Sequence, residues 1–194
     1  MKRSQTLMLQ VKENRVVLSA HGAEPAAAFV ARRLHEERPS EVVEFLTRDA
    51  VLVPVPRSGL HKPHALWPAH EIATALVARG FGRRVLACLR RETAVPKAAT
   101  ATPGNRPGAR QHFDSLAVDG ALDLPSSVVL VDDVVTRGAS LLGAAWRLWK
   151  AREDLDVRAF AVIRTISNPA TFTQILDPCQ GLISWENGHH RRVP

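Results

Sequence analysis

The sequence has little cysteine and no long apolar run. Only two cysteines occur in 194 residues, and the positions of Cys88 and Cys179 indicate neither a zinc site nor a structural disulfide. No apolar run reaches the roughly 20 residues that a membrane helix needs. The first residues, MKRSQTLMLQVKENR, lack the sustained apolar segment of a signal peptide. We therefore expect a cytoplasmic protein with no membrane partner.

Two common nucleotide-binding motifs are also missing. The pattern GxxxxGK[ST] of the Walker phosphate loop does not occur, and neither does the GxGxxG fingerprint of Rossmann domains. No internal repeat is visible. Aromatic residues are not interleaved with the basic ones, as they are in proteins that bind single-stranded nucleic acid. A phosphate ligand would therefore need a binding motif of another kind.

The chain is strongly basic, with a formal net charge of +7 at pH 7. Its arginines are spread through residues 79–91, 106–110 and 147–164, and a basic run, HHRR, lies at His189 to Arg192. A basic surface attracts polyanions, which include nucleic acid and small polyphosphates, but solvated arginines explain the same composition. Both interpretations stay open, and the basic run near the end is expected to be a frayed tail.

Alternating apolar segments predict an α/β fold. Short β-branched runs bounded by proline, glycine or charged residues indicate strands, and apolar residues three and four apart indicate helices. Strands are predicted at 50–56, 83–89, 112–118, 127–135 and 156–165, and helices at 25–37, 39–46, 64–80 and 139–152. This order of elements is typical of a mainly parallel central sheet flanked by helices.

Three unusual loops follow predicted strands, after Pro56, Leu89 and Val135. The second runs from Arg90 to Gln111, is rich in Thr, Ala, Pro, Gly and basic residues, and has no regular periodicity. A loop of this length in a compact domain is usually a functional lid or a linker. Because ligands of parallel α/β sheets bind beyond the carboxyl ends of the strands, we expect the site among these loops.

The third loop belongs to the segment VVLVDDVVTRGAS, from Val128 to Ser140. Its apolar start predicts a buried strand, which leads into the paired acids Asp132 and Asp133. Their carboxylates are able to accept hydrogen bonds from sugar hydroxyls or to hold a hydrated magnesium ion. The small-residue turn that follows opens a helix, and its amides and hydroxyls suit a phosphate. The alternative is a solvated acidic pair beside an ordinary helix cap.

This segment resembles the phosphoribosyl pyrophosphate (PRPP) motif of type I phosphoribosyltransferases: four apolar residues, two acids, two apolar residues and a turn bearing Thr, Gly and Ser. VPVPRSG, from Val53 to Gly59, lies where that family has its pyrophosphate loop. LRRETAVPK (89–97) and RPGARQHF (106–113) resemble the flexible loop of the ComF-like, competence-associated branch. The resemblance covers residues 51–165.

The resemblance implies the type I phosphoribosyltransferase fold, with its core at residues 50–165 and a flexible loop at 90–111. A small hood would come from residues 1–49, expected to be helical, and from residues 166–194, which include the tail. The implied reaction transfers the phosphoribosyl group of PRPP to a nitrogen acceptor, usually a nucleobase, and releases pyrophosphate. Mg²⁺ is the implied cofactor, and no protein nucleophile is needed.

A role for individual residues follows from the same resemblance. Asp132 and Asp133 would be catalytic, holding the ribose hydroxyls and, directly or through water, the metal. The binding residues would be Thr136, Arg137, Gly138, Ala139 and Ser140 for the 5′-phosphate; Arg57, Ser58, Gly59, Arg90, Arg91, Lys97, Arg106 and Arg110 for pyrophosphate; and Ile183 and Trp185 for the base. For each of the loop cations, a solvated position is an alternative of at least equal weight. A tryptophan in a short apolar stretch is more often part of the core, so core packing is the favoured alternative for Trp185.

The sequence departs from the family pattern in three respects. It lacks the cysteine-rich zinc segment that ComF-like proteins often carry, and Lys97 stands where glutamine is expected. Arg137 replaces the second threonine of the phosphate turn, where it would contact the phosphate or face solvent. Two alternatives stay open. The same fold would serve a non-catalytic module that senses PRPP or a nucleotide, and the basic charge together with the competence-associated resemblance would fit a DNA-associated accessory protein. A homodimer also stays open.

Overall fold

A computed structural model describes residues 2–97, 106–121, 124–166 and 178–193. In chain order its elements are α1 (Lys2–Lys12), β1 (Val16–Ser19), β2 (Gly22–Pro25), α2 (Ala26–Glu37), α3 (Ser40–Phe45), β3 (Val51–Pro54), α4 (Pro68–Ala78), β4 (Arg84–Val85), β5 (Leu89–Arg91), α5 (Ala109–Asp114), β6 (Leu116–Val118), β7 (Ser127–Val135), α6 (Ala139–Ala151), β8 (Asp156–Arg164), β9 (Leu182–Glu186) and β10 (His189–Val193). Within these ranges, no helix has the length and apolar character that a membrane span requires.

Four parallel strands form the central sheet, in the order β4-β3-β7-β8. Residues 128–131 of β7 are fully buried, with 0% exposure. Such a strand reads as a continuous apolar run because both of its faces are covered. β3 pairs directly with β7, so the loops that follow these two strands leave the sheet side by side. The predicted α/β architecture with a mainly parallel sheet is confirmed.

The two faces of the sheet carry separate apolar clusters. Val51 and Leu130 point to the face that is covered by α6 and by the β5–β6 pair. Leu52 and Val129, one position along each strand, point to the other face, where α4 packs together with residues of α1, α2 and α3. This alternation is the period of two that a strand imposes on its side chains. The N-terminal helices therefore contribute to the main core.

The predicted strand at 112–118 is wrong in its first half. Residues 112–114 belong to helix α5, and only Leu116–Val118 form a strand, which pairs antiparallel with β5. Helix α5 packs closely on α6 at Gly143, where an added Cβ would lie 2.6 Å from the backbone oxygen of Ala109 and 2.6 Å from the Cβ of His112. The long loop is correspondingly shorter than predicted, because it starts after β5 and ends at α5.

The predicted strand at 83–89 is interrupted. β4 pairs with β3 over two positions, the amide of Leu86 donates to Leu52 O at 2.8 Å, and the chain then leaves the sheet. It continues as β5, whose partner is β6 instead of β3. One apolar run therefore serves two sheets, which periodicity alone does not distinguish.

Two antiparallel hairpins, β1–β2 and β9–β10, were not predicted. The expected frayed tail at 189–192 is instead part of strand β10, and Arg192 donates to Thr165 O at 2.6 Å, at the end of β8. The turn of the β9–β10 hairpin consists of Asn187 and Gly188, with φ angles of 50° and 80°. An Asn-Gly pair is a strong signal for a two-residue hairpin turn, and this signal was available in the sequence.

Candidate functional site

The paired acids lie where β7 approaches the carboxyl edge of the sheet. Asp132 is 9% exposed, and its Oδ2 accepts a hydrogen bond of 3.1 Å from Ser140 Oγ in the first turn of α6. Its Oδ1 accepts from the amide of Asp133 at 2.9 Å. Asp133 is less buried, and its Oδ1 accepts from the amide of Val134 at 2.9 Å. One carboxylate is therefore held within the protein, and the other is more accessible to a ligand.

Burial controls the protonation of this pair. The pKa of Asp132 is raised well above its ordinary value, first because the carboxyl is buried and second because the carboxylate of Asp133 lies beside it. The hydrogen bond from Ser140 acts in the opposite direction. A buried acid beside an accessible one can hold a proton while its neighbour accepts hydrogen bonds from hydroxyl groups.

The turn between β7 and α6 contains a left-handed glycine and leads directly into a helix N-terminus. Gly138 has φ of 82°, a left-handed conformation that favours glycine, and it is the N-cap residue of the 13-residue helix α6. Thr136 and Arg137 are exposed, whereas Gly138 is buried. The first amides of α6 have no partners within the helix, so they and the helix dipole suit an anion. Ser140 links this turn to Asp132.

The loop after β3 begins beside β7, since the amide of Val55 donates to Val131 O at 2.9 Å, one residue before Asp132. The buried side chain of Arg91 holds the backbone of this loop from the protein interior. Its Nε donates to Arg57 O at 2.9 Å and its Nη2 to Pro56 O at 3.2 Å. None of the peptide bonds described is cis. In a trans peptide the N–H points opposite to the C=O, so the amides of Arg57 and Ser58 point away from Arg91. Consecutive amides with one direction form an anion-binding concavity.

Arg91 itself is not a cation of a mobile lid. It is 4% exposed, on the inner side of β5, and its third donor group contacts Ser115 Oγ. Burial lowers its pKa to about 10, and the charge of Asp132 opposes this effect. Arg91 therefore holds the backbone of the loop after β3 from its buried side, whereas the resemblance implied a direct contact of this side chain with pyrophosphate.

The other predicted pyrophosphate residues divide between the site and the surface. Arg57 lies at the site, with Nη1 donating to Leu66 O at 2.7 Å, and Gly59 is exposed nearby in the same loop. Arg90 forms an ion pair with Asp119 at 2.9 Å, on the opposite face of β5 from Arg91. These contacts bring the loop of Arg57 to the site and turn Arg90 away from it.

The ends of the long loop are placed differently from each other. The amide of Val95 donates to Ser58 O at 2.8 Å, which ties the start of this loop to the one after β3. Lys97 is exposed just beyond that contact, and residues 98–105 of the predicted loop lie outside the described residues. Arg106 is exposed where the description resumes, and Arg110 pairs with Asp114 at 3.0 Å. Arg110 is thus occupied on the surface of α5.

The β9–β10 hairpin packs on the turn between β7 and α6. A Cβ added to Gly138 would lie 2.6 Å from Cδ1 of Ile183, so this side chain packs directly on the turn. Trp185 is 45% exposed and its ring meets that of Trp146 on α6 edge-to-face, with centroids 5.1 Å apart. Of the two residues predicted for the base, Ile183 supports the turn, and Trp185 keeps an accessible ring.

A buried histidine, His112, and a half-buried one, His190, lie near the site and were missed. His112 on α5 is 8% exposed, and burial together with the charges of Arg91 and His190 lowers its pKa to about 4. Burial, followed by the charge of Arg137, lowers the pKa of His190 on β10. Nδ1 of His112 and Nε2 of His190 have no hydrogen-bond partner within the described ranges. Nothing in the local sequence pattern marks either residue, because their burial arises from the packing of α5 and β10.

We expect His112 to make the protein less stable in acid. The folded state keeps His112 neutral down to a pKa of about 4, whereas in the unfolded chain it gains a proton near its ordinary value of 6.5. The stabilising contribution is therefore complete above that value and falls with pH, by roughly 3 kcal/mol at pH 4. His112→Leu should reduce the loss in free energy of unfolding between pH 7 and pH 4.5, measured by denaturant titration. The exposed His61→Leu serves as a control, and parallel pH curves for wild type and His112→Leu would contradict the prediction.

The acid pair fits magnesium only as part of a larger ligand set. Among the described residues, no group of three or more His, Cys, Asp or Glu side chains is arranged to hold a metal ion. Mg²⁺ commonly binds proteins through one or two carboxylates and completes its shell with water and substrate phosphates. Asp133, the more accessible carboxylate, matches that mode, with Asp132 held beside it. The residues therefore fit a magnesium ion that arrives with a diphosphate.

Comparisons with known proteins assign no role to these residues. No protein-family model matches the chain, and no curated protein matches its sequence. The acid pair, the glycine turn and the loop above Arg91 are therefore the basis on which a function is proposed for this chain.

Proposed function

We propose that the protein is a magnesium-dependent phosphoribosyltransferase, which transfers the phosphoribosyl group of PRPP to a nitrogen acceptor, most simply a nucleobase. The observation that carries the proposal is the 3.1 Å hydrogen bond between Ser140 and Asp132. It joins the acid pair to the first turn of α6, and the loop after β3 begins one residue from Asp132 on the paired strand. In the proposed complex, the acids would accept from the ribose hydroxyls, and the amides of the turn and of the loop would bind the two phosphate ends of PRPP.

The turn would hold the 5′-phosphate of the donor. Its backbone from Thr136 to Ser140 and the dipole of α6 provide the favourable partial charges. Asp133 accepts hydrogen bonds from the ribose hydroxyls, and Asp132 fixes its position from the buried side. The amides of Arg57 and Ser58 bind the pyrophosphate, because Arg91 holds the carbonyl groups of the same peptides.

The reaction breaks the bond between C1′ and the pyrophosphate oxygen and forms a bond between C1′ and the acceptor nitrogen. Pyrophosphate leaves with the electron pair, and the proton displaced from the nitrogen passes to solvent. When bound, Mg²⁺ neutralises the charge of the leaving group. The chain's own residues orient the donor and stabilise the separating charges, which are the main needs of an oxocarbenium-like transition state.

We expect replacement of both acids to abolish tight PRPP binding. Asp132→Asn combined with Asp133→Asn removes both carboxyl groups while preserving shape, and should weaken binding of PRPP with Mg²⁺ at least tenfold in calorimetry, since a hydrogen bond to a charged group contributes roughly 1.5 to 3 kcal/mol. Asp119→Asn is the matched control, because this exposed acid pairs with Arg90 away from the site. No binding by wild type, or equal binding by the double variant, would refute the donor site.

A second measurement separates transfer from sensing. Pyrophosphate release is followed for wild type with PRPP, Mg²⁺ and a panel of purine and pyrimidine bases. Release that depends on one acceptor supports the transferase. PRPP binding without release for any base would instead favour the alternative of a non-catalytic module that senses PRPP.

A further inference from the structure

An open cleft with a volume of about 570 Å³ lies at the amino edge of the central sheet, where β3 and β4 begin. Its lining residues are His35 near the end of α2, Arg48 in the turn before β3, and Ala78, Arg79, Gly80 and Gly82 around the end of α4. The acid pair lies towards the carboxyl edge of the same parallel sheet. The cleft is therefore separate from the proposed donor site, and none of the residues assigned to that site lines it.

The charge of this cleft favours an anion. Arg48 and Arg79 come from different segments and line it together, whereas no aspartate or glutamate is among the lining residues. Neither guanidinium group forms an ion pair with any residue of the described ranges. A cleft lined by charge of one sign concentrates the electric field, and a guanidinium group presents the planar fork of donors that phosphate oxygens prefer. The lining therefore matches a ligand that carries phosphate.

Hydrogen bonds between distant segments hold the walls of the cleft in place. Nδ1 of His35 donates to Arg79 O at 3.0 Å, since a carbonyl oxygen only accepts, and this bond joins α2 to the end of α4. The amide of Gly82 donates to Thr47 O at 3.1 Å, which joins the turn of Arg48 to the same end of α4. A site whose backbone is fixed before the ligand arrives has less entropy to lose on binding. The two arginines are thus presented from a preorganised frame.

The end of α4 is arranged so that it opposes an anion less than a helix C-terminus usually does. Free carbonyl groups at such an end repel negative charge. Here Leu76 O accepts from the amide of Phe81 and Val77 O from the amide of Gly80, both at 3.0 Å. Gly80 has φ of 83°, and a Cβ added to it would meet no atom within 4 Å. The left-handed glycine therefore ends the helix, satisfies carbonyl groups of its last turn and leaves open space for a ligand.

We propose that this cleft binds a polyphosphate group through the guanidinium groups of Arg48 and Arg79. Its volume falls in the range of about 300 to 1,000 Å³ that is usual for small-molecule sites. No Phe or Trp side chain lines it to stack on a base, and the other residues from the end of α4 are small: Ala78, Gly80 and Gly82. A short chain of phosphate groups is compact and carries several negative charges, as this lining requires. Its source is either an inorganic polyphosphate or the phosphate tail of a nucleotide.

The test is calorimetry without magnesium, using tripolyphosphate, adenosine triphosphate and inorganic phosphate as probes. Tripolyphosphate should bind saturably, and inorganic phosphate roughly tenfold more weakly, because it carries fewer charges. Arg48→Gln and Arg79→Gln should each weaken tripolyphosphate binding roughly fivefold or more, since each removes a charge-assisted contact. Adenosine triphosphate that binds as tightly as tripolyphosphate would assign the cleft to the phosphate tail of a nucleotide, and much weaker binding would assign it to an inorganic polyphosphate.

Ala78→Glu and Ala78→Gln form a matched pair at the exposed end of α4, because they differ in charge and hardly in size. Ala78→Glu places a carboxylate in the cleft and should weaken tripolyphosphate binding roughly tenfold or more, whereas Ala78→Gln should have little effect. Arg33→Gln controls for net charge, because Arg33 pairs with Glu37 on α2 and does not line the cleft. Thermal unfolding of each variant verifies the fold.

The donor site and this cleft are tested independently of each other. The variant that combines Asp132→Asn and Asp133→Asn should keep tripolyphosphate binding, whether or not wild type binds PRPP. Equal tripolyphosphate affinities of Arg48→Gln, Arg79→Gln and Arg33→Gln would overturn the proposal. So would equal affinities of the two Ala78 variants, an affinity that grows with oligonucleotide length, or no saturable binding of tripolyphosphate at all.

Discussion

Replacing Arg91 with methionine is expected to lower the free energy of unfolding by roughly 2 to 4 kcal/mol. Arg91 donates to Pro56 O, Arg57 O and Ser115 Oγ, and methionine leaves all three acceptors without this donor. The cost of burying the guanidinium, visible in its pKa of about 10, offsets part of this loss. The methionine side chain fills much of the space, so the effect measures the lost hydrogen bonds more than a cavity.

Arg90→Met is the matched control for this change. Arg90 is the adjacent residue of the same strand, but it faces solvent and pairs with the exposed Asp119. Its replacement should cost at most about 1 kcal/mol, as is usual for surface ion pairs. Arg91→Lys should lie between the two, because an ammonium group does not reproduce the planar fork of donors. Equal denaturant midpoints for Arg90→Met and Arg91→Met would contradict this account of β5.

Arg91→Met should also lose affinity for pyrophosphate. Without Arg91, the carbonyl groups of Pro56 and Arg57 are no longer held on one side, and the amides of Arg57 and Ser58 lose their common direction. We expect binding of pyrophosphate with Mg²⁺ to weaken at least tenfold in calorimetry, while Arg90→Met retains wild-type affinity. A stable Arg91→Met protein with unchanged pyrophosphate affinity would show that the loop does not depend on this residue.

Gly138→Ala is expected to destabilise the protein by roughly 2 to 4 kcal/mol, from two separate causes. The left-handed backbone, with φ of 82°, disfavours any residue that has a Cβ. In addition, the new methyl group would lie within 2.9 Å of three carbon atoms of Ile183. The hairpin or the turn must shift to accommodate it, so binding of PRPP should weaken as well.

Ile183→Ala separates the two causes. In this background the added methyl group of Gly138→Ala has space, so only the backbone cost of about 1 to 2 kcal/mol should remain. Urea denaturation of the four proteins in a double-mutant cycle measures the coupling between the two positions. The double variant should lose less free energy of unfolding than the sum of the two single variants. Additive effects would mean that the hairpin does not rest on the turn. Ser184→Ala, at the neighbouring position of β9, is the control for the hairpin.

The sequence predicted the features that depend on local pattern. The run from Val128 to Val131 is apolar because a central parallel strand is covered on both faces, and that run was assigned to the sheet correctly. The helix after Gly138 was likewise expected from its apolar spacing, as was the helix predicted at 64–80, which begins four residues later, at Pro68. These elements place the acid pair at the edge of the sheet, and the carboxyl end of β7 was the expected position of the site.

The sequence did not distinguish residues whose roles depend on packing from distant segments. Arg90 and Arg91 were assigned the same function, yet one is exposed and the other is 4% exposed beneath the loop after β3. A strand of three residues has too little pattern to show which of its side chains is buried. The same holds for His112, which is buried because Gly143 lets α5 approach α6 closely.

By itself, therefore, the sequence determined the parallel sheet and the paired acids beside a glycine turn, since each depends on neighbouring residues and on the period of one element. Only the tertiary structure decided what surrounds them. It placed Arg91 beneath the loop after β3 and Ile183 on the turn before α6. The physical reason is that burial and charge environment arise when remote segments pack together, and no local pattern encodes those contacts.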